Sequence, residues 1–180
     1  VVGIDPGREY IELARQRGAE GGGRCTFEVA SIEAFDAAEP FDCVIATDVL
    51  EHIEDDRAAF RKLAALVGPS GHLVITVPAG QWLFGYHDEQ LGHYRRYSKA
   101  TLRALAETAS VVDDVRYFGV CLIPVCLWYS RWRRRPYPVA ESGDTAARPL
   151  LAPVLHGVLA AERRLRPPLG TSLILKARPL

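Results

Sequence analysis

Phe41-Asp42-Cys43-Val44-Ile45-Ala46-Thr47 is the stretch that decides the fold. It is a near-continuous apolar run of strand length, of the kind found where helices cover both faces of a parallel sheet, so a central strand is expected there. The flanking segments alternate as such a sheet requires. Residues 1–5 (Val1-Val2-Gly3-Ile4-Asp5) read as a strand, residues 8–17 as a helix closed by Gly18 and Gly21-Gly22-Gly23, and residues 25–29 as a second strand. Beyond the central run, residues 55–67 carry Phe60, Leu63, Ala64 and Val67 on one helical face, and Gly68-Pro69-Ser70-Gly71 breaks that helix. Residues 72–77 form the next strand, stopped at Pro78.

Residues 79–97 turn aromatic, with glycine and histidine and no clear period, which predicts a long functional loop or lid. Ser98 is placed to N-cap a helix that runs to about residue 108, and residues 111–118 read as a strand. Residues 149–166 form an amphipathic helical stretch with Pro153 near its start, where proline is tolerated, and residues 171–177 make a final strand. The one obvious linker is 136–148, rich in Pro, Ser, Gly and Asp. Strands alternating with helices predict an α/β domain with a largely parallel sheet.

Composition sets the outer limits. A chain of 180 residues, 48% hydrophobic and 24% charged, fits one soluble domain with a substantial core. With 22 Lys+Arg against 22 Asp+Glu the net charge is zero, so no overall field draws the chain to nucleic acid, and no nucleic-acid partner is expected. Cys25, Cys43, Cys121 and Cys126 show neither C-x-x-C nor zinc-ligand spacing; they read as reduced, mostly buried thiols of a cytoplasmic protein. No methionine is present, and the sequence opens inside a strand pattern, so the natural start is expected to lie upstream. No oligomeric state can be read from these features.

Val2-Gly3-Ile4-Asp5-Pro6-Gly7 ends a strand on a carboxylate at the sheet edge where parallel folds bind ligands, and a carboxylate there can accept hydrogen bonds from both hydroxyls of a ribose. The same Asp could equally be a helix N-cap. What narrows the choice is its combination with Val29-Ala30-Ser31-Ile32-Glu33, with Phe41 to His52, and with Gly71-His72-Leu73-Val74-Ile75-Thr76-Val77-Pro78. Together these segments resemble the strand-2 to strand-5 motifs of class I S-adenosylmethionine-dependent methyltransferases, over nearly the whole chain. The resemblance implies a Rossmann-like sheet, mostly parallel with an antiparallel last strand, in a partial domain spanning 1–180 with a lid at 79–97 and a helical insertion at 119–168. It also implies that Asp5 holds the cofactor ribose, Ser31 and Ile32 border the adenine, and the backbone at Ala46 and Thr47 faces the methionine part. Ser31 departs from the Asp often found at its position. The family's first strand and Gly-x-Gly-x-Gly loop would precede Val1, between the strands of 1–5 and 41–47, and they are missing from this sequence; a fragment is therefore expected.

Asp48-Val49-Leu50-Glu51-His52 puts two carboxylates and an imidazole at i, i+3 and i+4, on one side of a helical turn, a set able to bind a divalent cation. The layout is similar to the Glu-x-x-Glu-His site of metal-dependent methyltransferases acting on catechol-type quinone precursors or RNA 3′ ends, with His93 as a further ligand. Many family members without a metal carry Leu-Glu-His here. That reading is adopted, with no metal ligand assigned, His52 packed beside the cofactor, and Glu51 capping or solvating a helix start. His87-Asp88-Glu89-Gln90-Leu91-Gly92-His93-Tyr94-Arg95-Arg96-Tyr97-Ser98 is the expected substrate contact, with His93 or His87 as the base that takes a proton from a hydroxyl acceptor. Its plainer alternative has Arg95 and Arg96 pairing with Asp88 and Glu89 to order the loop.

Residues 117–135 are apolar and aromatic and end in Arg131-Trp132-Arg133-Arg134-Arg135, which reads either as a buried helix with a basic end or as peripheral membrane contact beside a hydrophobic small-molecule acceptor. Two other classes compete. A nucleotide-binding oxidoreductase or epimerase also places an acid after its second strand, but no Tyr-x-x-x-Lys pair is present. A noncatalytic membrane-peripheral protein of the same fold is the other, because function lives in the site and not in the fold.

Overall fold

The computed structural model describes residues 1–20, 24–133, 157, 160, 162 and 164–180, so the linker at 136–148 and most of the helix expected at 149–166 lie outside the described residues. The chain divides into two compact units, Val1–Pro40 and Phe41–Leu180.

In the first unit β1 (Val2–Asp5) and β2 (Thr26–Val29) pair in parallel, with Gly3 opposite Phe27, and α1 (Arg8–Glu20) connects them. The helix runs past Gly18, which had been read as its end. The reason is packing: a Cβ on Gly18 would stand 2.9 Å from the Phe27 ring, so this glycine makes room for an aromatic neighbour inside the helix. Arg15 bonds the Phe27 carbonyl at 2.6 Å and fastens the helix to β2.

The second unit is built on a four-stranded sheet in the order β3-β4-β6-β5, with β3 (Phe41–Thr47), β4 (Val67–Pro78), β5 (Ser110–Phe118) and β6 (Ser172–Pro179). β3 and β4 are parallel, whereas β6 runs antiparallel to both β4 and β5, as the resemblance implies. β3, expected to be central, is an edge strand of this four-stranded sheet, and Ile45 is 66% exposed despite the apolar run around it. Cys43 is exposed on the same strand; of the four cysteines, none in a disulfide, only Cys126 is buried, which corrects the expectation of mostly buried thiols.

β4 also begins earlier than expected. Gly68-Pro69-Ser70-Gly71 does not stop the chain but forms an irregularity inside the strand, where pairing jumps from Phe41–Val67 to Cys43–His72. Gly71 permits it, because a Cβ there would lie 2.9 Å from the carbonyl oxygens of Phe41 and Asp42. The preceding helix α2 (Asp56–Ala65) is therefore shorter at its end; Asp55 caps its start by accepting from the Ala58 amide at 2.9 Å. Its buried residues Ala59, Phe60 and Leu63 meet a core that includes Leu73, Ile75, Val77, Leu102, Leu173 and Leu175.

Residues 79–97 leave β4 and return to it, with the Tyr97 amide on the Pro78 carbonyl at 2.9 Å and the Gly80 amide on the Tyr97 carbonyl at 2.8 Å. Inside this segment, expected to be irregular, lie a single 3-10 turn at Gln81–Leu83 and a short helix, α3 (Tyr86–Leu91). Gly92 ends α3 in the left-handed conformation, φ 72°. Then α4 (Lys99–Ala106) starts from Ser98, whose hydroxyl accepts from the Thr101 amide at 3.1 Å, as expected. After β5 comes α5 (Ile123–Leu127), extended by a π-helical turn at Trp128–Arg133. Glu162 reaches this region and accepts from the Gly119 and Cys121 amides at 2.7 and 3.0 Å. Among the described residues no helix is long and apolar enough to cross a membrane.

Candidate functional site

The first unit holds three of the residues expected at the cofactor. Asp5 ends β1, half-buried, and its Oδ1 accepts from the Gly7 amide at 2.7 Å. This turn stops the chain from running straight into α1 and leaves the second carboxylate oxygen without a partner among the described residues. Ser31 follows β2, and its carbonyl accepts from the amides of Ala34 and Phe35 at 3.2 and 3.0 Å. Ile32 is only 6% exposed, so its side chain belongs to the packing of this unit.

The second unit holds the rest. Ala46, buried, and Thr47, exposed, end β3 opposite Ile75 and Thr76. Asp48 then takes a positive φ of 52°, which a non-glycine residue adopts only when its surroundings hold it, and its amide bonds the Thr76 carbonyl at 3.0 Å. The chain turns through one 3-10 turn, Leu50–His52, at the carboxyl end of the strand. Three side chains meet there: Glu51, His52 and His93 bring ligand atoms within 4.8 Å of one another, and the two imidazoles lie edge to face with centroids 4.5 Å apart. Asp48, which its spacing puts on the same side of the turn as Glu51 and His52, is not part of this group.

Glu51 departs most from expectation. It neither caps a helix nor meets solvent: it is fully buried, and neither carboxylate oxygen makes a well-formed hydrogen bond among the described residues. The covering comes from the 79–97 segment, where the Tyr94 amide bonds the Glu51 carbonyl at 2.8 Å. Burial pushes the Glu51 carboxyl up to about 8, its own amide and Arg96 oppose this, and Asp48 and Asp88 add to it. Burial, then the neighbouring His93, lowers His52, which favours the neutral imidazole. A buried carboxyl lacking partners beside two imidazoles is a donor set that could hold a divalent cation.

The two candidate bases differ in their surroundings. His87 sits on α3, half-buried, and burial lowers its pKa, with Asp88 opposing and His93 and Arg96 assisting. His93 Nδ1 lies 2.9 Å from Asp88 Oδ1. Asp88 is fully buried and is the hub of the segment: Arg96 Nε donates to Oδ1 at 2.7 Å and the Gly85 amide to Oδ2 at 3.0 Å. Burial alone would raise the Asp88 carboxyl; the bonds from His93, Arg96 and Gly85 outweigh it and hold the group below its ordinary value. The expected loop-ordering pairs are thus half realised. Arg96 pairs with Asp88, but Arg95 reaches across to Asp56 at 2.9 Å and to the Glu54 carbonyl at 2.7 Å. Tyr97 donates to the same Asp56 at 2.8 Å, and burial and that carboxylate push its phenol up. The sequence offers Asp88 only as a partner for the arginines; its contact with His93 and the role of Asp56 are not legible there, the Asp–x–x–x–x–His spacing of residues 88 and 93 being the one available signal.

A family model described as a methyltransferase domain matches residues 1–110. The chain belongs to the methyltransferase domain family. Curated relatives include the ubiquinone biosynthesis O-methyltransferase of Vibrio campbellii, 40% identical over 75 residues, which are 41% of this chain and 32% of that protein. A protein of the same name from Bradyrhizobium sp. is 33% identical over 82 residues, 46% of this chain and 32% of that one. The matched segment thus spans about a third of the curated relatives' length. Among solved structures, the N-methyltransferase NodS from Bradyrhizobium japonicum WM9 in complex with S-adenosylhomocysteine superposes with a TM-score of 0.59 at 18% identity, over 99% of this chain and 65% of that one. The [4+2]-cyclase SpnF superposes with a TM-score of 0.60 at 16% identity, over 99% of this chain and 66% of that one. These structural likenesses establish a shared fold. The family match removes the oxidoreductase and epimerase alternatives.

Proposed function

We propose that this methyltransferase domain transfers the sulfonium methyl of S-adenosylmethionine to a hydroxyl of a small, hydrophobic acceptor. The observation that carries the reading is the pair of imidazoles, His52 and His93, gathered with Glu51 at the carboxyl end of β3, where open α/β sheets bind their ligands. Curated relatives named as O-methyltransferases favour oxygen as the accepting atom. Asp5 offers a free carboxylate oxygen to the ribose hydroxyls, Ser31 and Ile32 border the adenine, and the backbone of Ala46 and Thr47 faces the methionine part. The cofactor supplies an activated methyl, so the chain's own work is to align the acceptor and remove its proton. His93 takes that proton, with His87 the less favoured base because burial lowers its affinity for a proton. Half-exposed Trp82, Tyr94 and Trp128 offer apolar surface to such an acceptor. We read the protein as cytoplasmic, with residues 117–135 either packed as an ordinary helix with a basic end or available for peripheral contact with membrane.

Labelled-methyl transfer to the catechol 3,4-dihydroxybenzoate, in a chain that carries the strand and Gly-x-Gly-x-Gly loop ahead of Val1, tests the reading. Transfer that depends on S-adenosylmethionine and falls at least a hundredfold in His93→Gln is expected, on the order of a general base's contribution. A folded protein that neither binds the cofactor nor transfers its methyl would favour the noncatalytic alternative, in which the fold persists without cofactor binding.

A further inference from the structure

We propose that Asp88 is the positioning residue for proton removal, holding His93 in the single tautomer whose Nε2 carries the lone pair. The inference rests on His93 being the proton acceptor and adds what makes it one.

An ionised carboxylate only accepts hydrogen bonds, so the 2.9 Å contact between Asp88 Oδ1 and His93 Nδ1 requires the ring proton to sit on Nδ1. The base site is then Nε2. Asp88 has no freedom to serve otherwise: Oδ1 also accepts from Arg96 Nε at 2.7 Å, Oδ2 accepts from the Gly85 amide at 3.0 Å, and the side chain is fully buried. Arg96 is in turn fixed at its backbone, where its amide donates to Gln81 Oε1 at 3.0 Å. Three donors from three points of the 79–97 segment therefore converge on one carboxylate, and among them only the imidazole has a second ring nitrogen able to accept a proton. The carboxylate's two oxygens offer about four acceptor sites, so it can hold His93 as well as Arg96 and Gly85.

The proton balance is complete within the reaction. The acceptor O–H bond breaks and its proton passes to Nε2; the oxygen's electron pair forms the O–CH3 bond as the S–CH3 bond breaks, leaving a neutral thioether. The imidazolium formed at His93 faces the Asp88 carboxylate and later releases its proton to water. Arg96 keeps that carboxylate ionised throughout.

Long-range proton–nitrogen spectra of the 15N-labelled protein read the tautomer directly, with His93 assigned by the signals lost in His93→Gln. A neutral His93 with a protonated Nδ1 and a bare Nε2 is expected. A protonated Nε2 overturns the proposal, and this wild-type result stands whatever the stability of any variant. In Asp88→Ala, His93 Nδ1 loses its acceptor, so the Nδ1-protonated tautomer is no longer held and both tautomers should appear. In a chain that carries the strand and Gly-x-Gly-x-Gly loop ahead of Val1, kcat on 3,4-dihydroxybenzoate should then fall about tenfold or more while the acceptor KM moves by less than about threefold. A His93→Gln enzyme that keeps full activity would defeat the base assignment and this inference with it. An inactive His93→Gln beside a fully active, folded Asp88→Ala would defeat the role of Asp88 alone.

Discussion

Replacing Glu51 by Gln should make the protein's stability much less sensitive to alkali. The Glu51 carboxyl is raised from 4.5 to about 8, chiefly by burial. A carboxyl with a folded value above its unfolded value binds its proton more tightly in the folded state. Its contribution is therefore present in full below the unfolded value of 4.5 and drains away as pH rises toward and through about 8. At about 1.4 kcal/mol per unit, the whole shift corresponds to roughly 5 kcal/mol, and the part lost between pH 5 and pH 8 is about 3 kcal/mol. The imidazoles of His52 and His87 have the opposite sign: their lowered values add stability above the unfolded 6.5, lost as pH falls. Both enzymes retain those histidines, so the difference between them isolates Glu51. Urea unfolding in the presence of a chelator at pH 5, 6, 7 and 8 measures it. The wild type should lose about 3 kcal/mol more than Glu51→Gln across that range; equal pH dependence in the two proteins would refute the burial account of this residue.

Two further outcomes follow from the site and its surroundings. With Glu51, His52 and His93 assigned no metal, methyl transfer should persist in chelator; loss of activity restored by an added divalent ion would instead place a cation on those three residues. Residues 117–135 should hold the protein on anionic vesicles at low salt and release it at high salt. Changing Arg131, Arg133, Arg134 and Arg135 to Gln should abolish cosedimentation without altering cofactor affinity, since each contributes about 1 kcal/mol near such a surface. A parent protein that stays in the supernatant at low salt would return this segment to an ordinary packed helix.

The sheet was legible in the sequence because strand signals are local. Phe41–Thr47 was read to the residue, since an apolar run between polar turns needs no tertiary information. The errors came where a distant partner overrides a local signal. Gly18 reads as a helix end until Phe27 needs the space beside it, and Gly71 reads as a breaker until β3 approaches its backbone. α3 was missed because six residues are too few to show a period, and its limits are set by Gly85 and Gly92. The histidines at 87 and 93 were found by residue type alone. Asp88 is legible only as a partner for an arginine, because the further donors it gathers from Gly85 and His93 are brought to it only by the folded segment. Glu51 was misread for the same reason, since its cover comes from residues about forty positions along the chain.

Calorimetric titration with S-adenosylhomocysteine tests the central claim most directly. In a chain where a strand and a Gly-x-Gly-x-Gly loop precede Val1, micromolar binding is expected, weakened by about 1–3 kcal/mol in Asp5→Ala through loss of the ribose hydrogen bonds. Residues 1–180 alone should bind weakly or not at all, because glycine-loop amides supply much of the close contact with such a ligand. Absence of binding in the longer chain, or an Asp5→Ala protein that is folded and binds unchanged, would contradict the account.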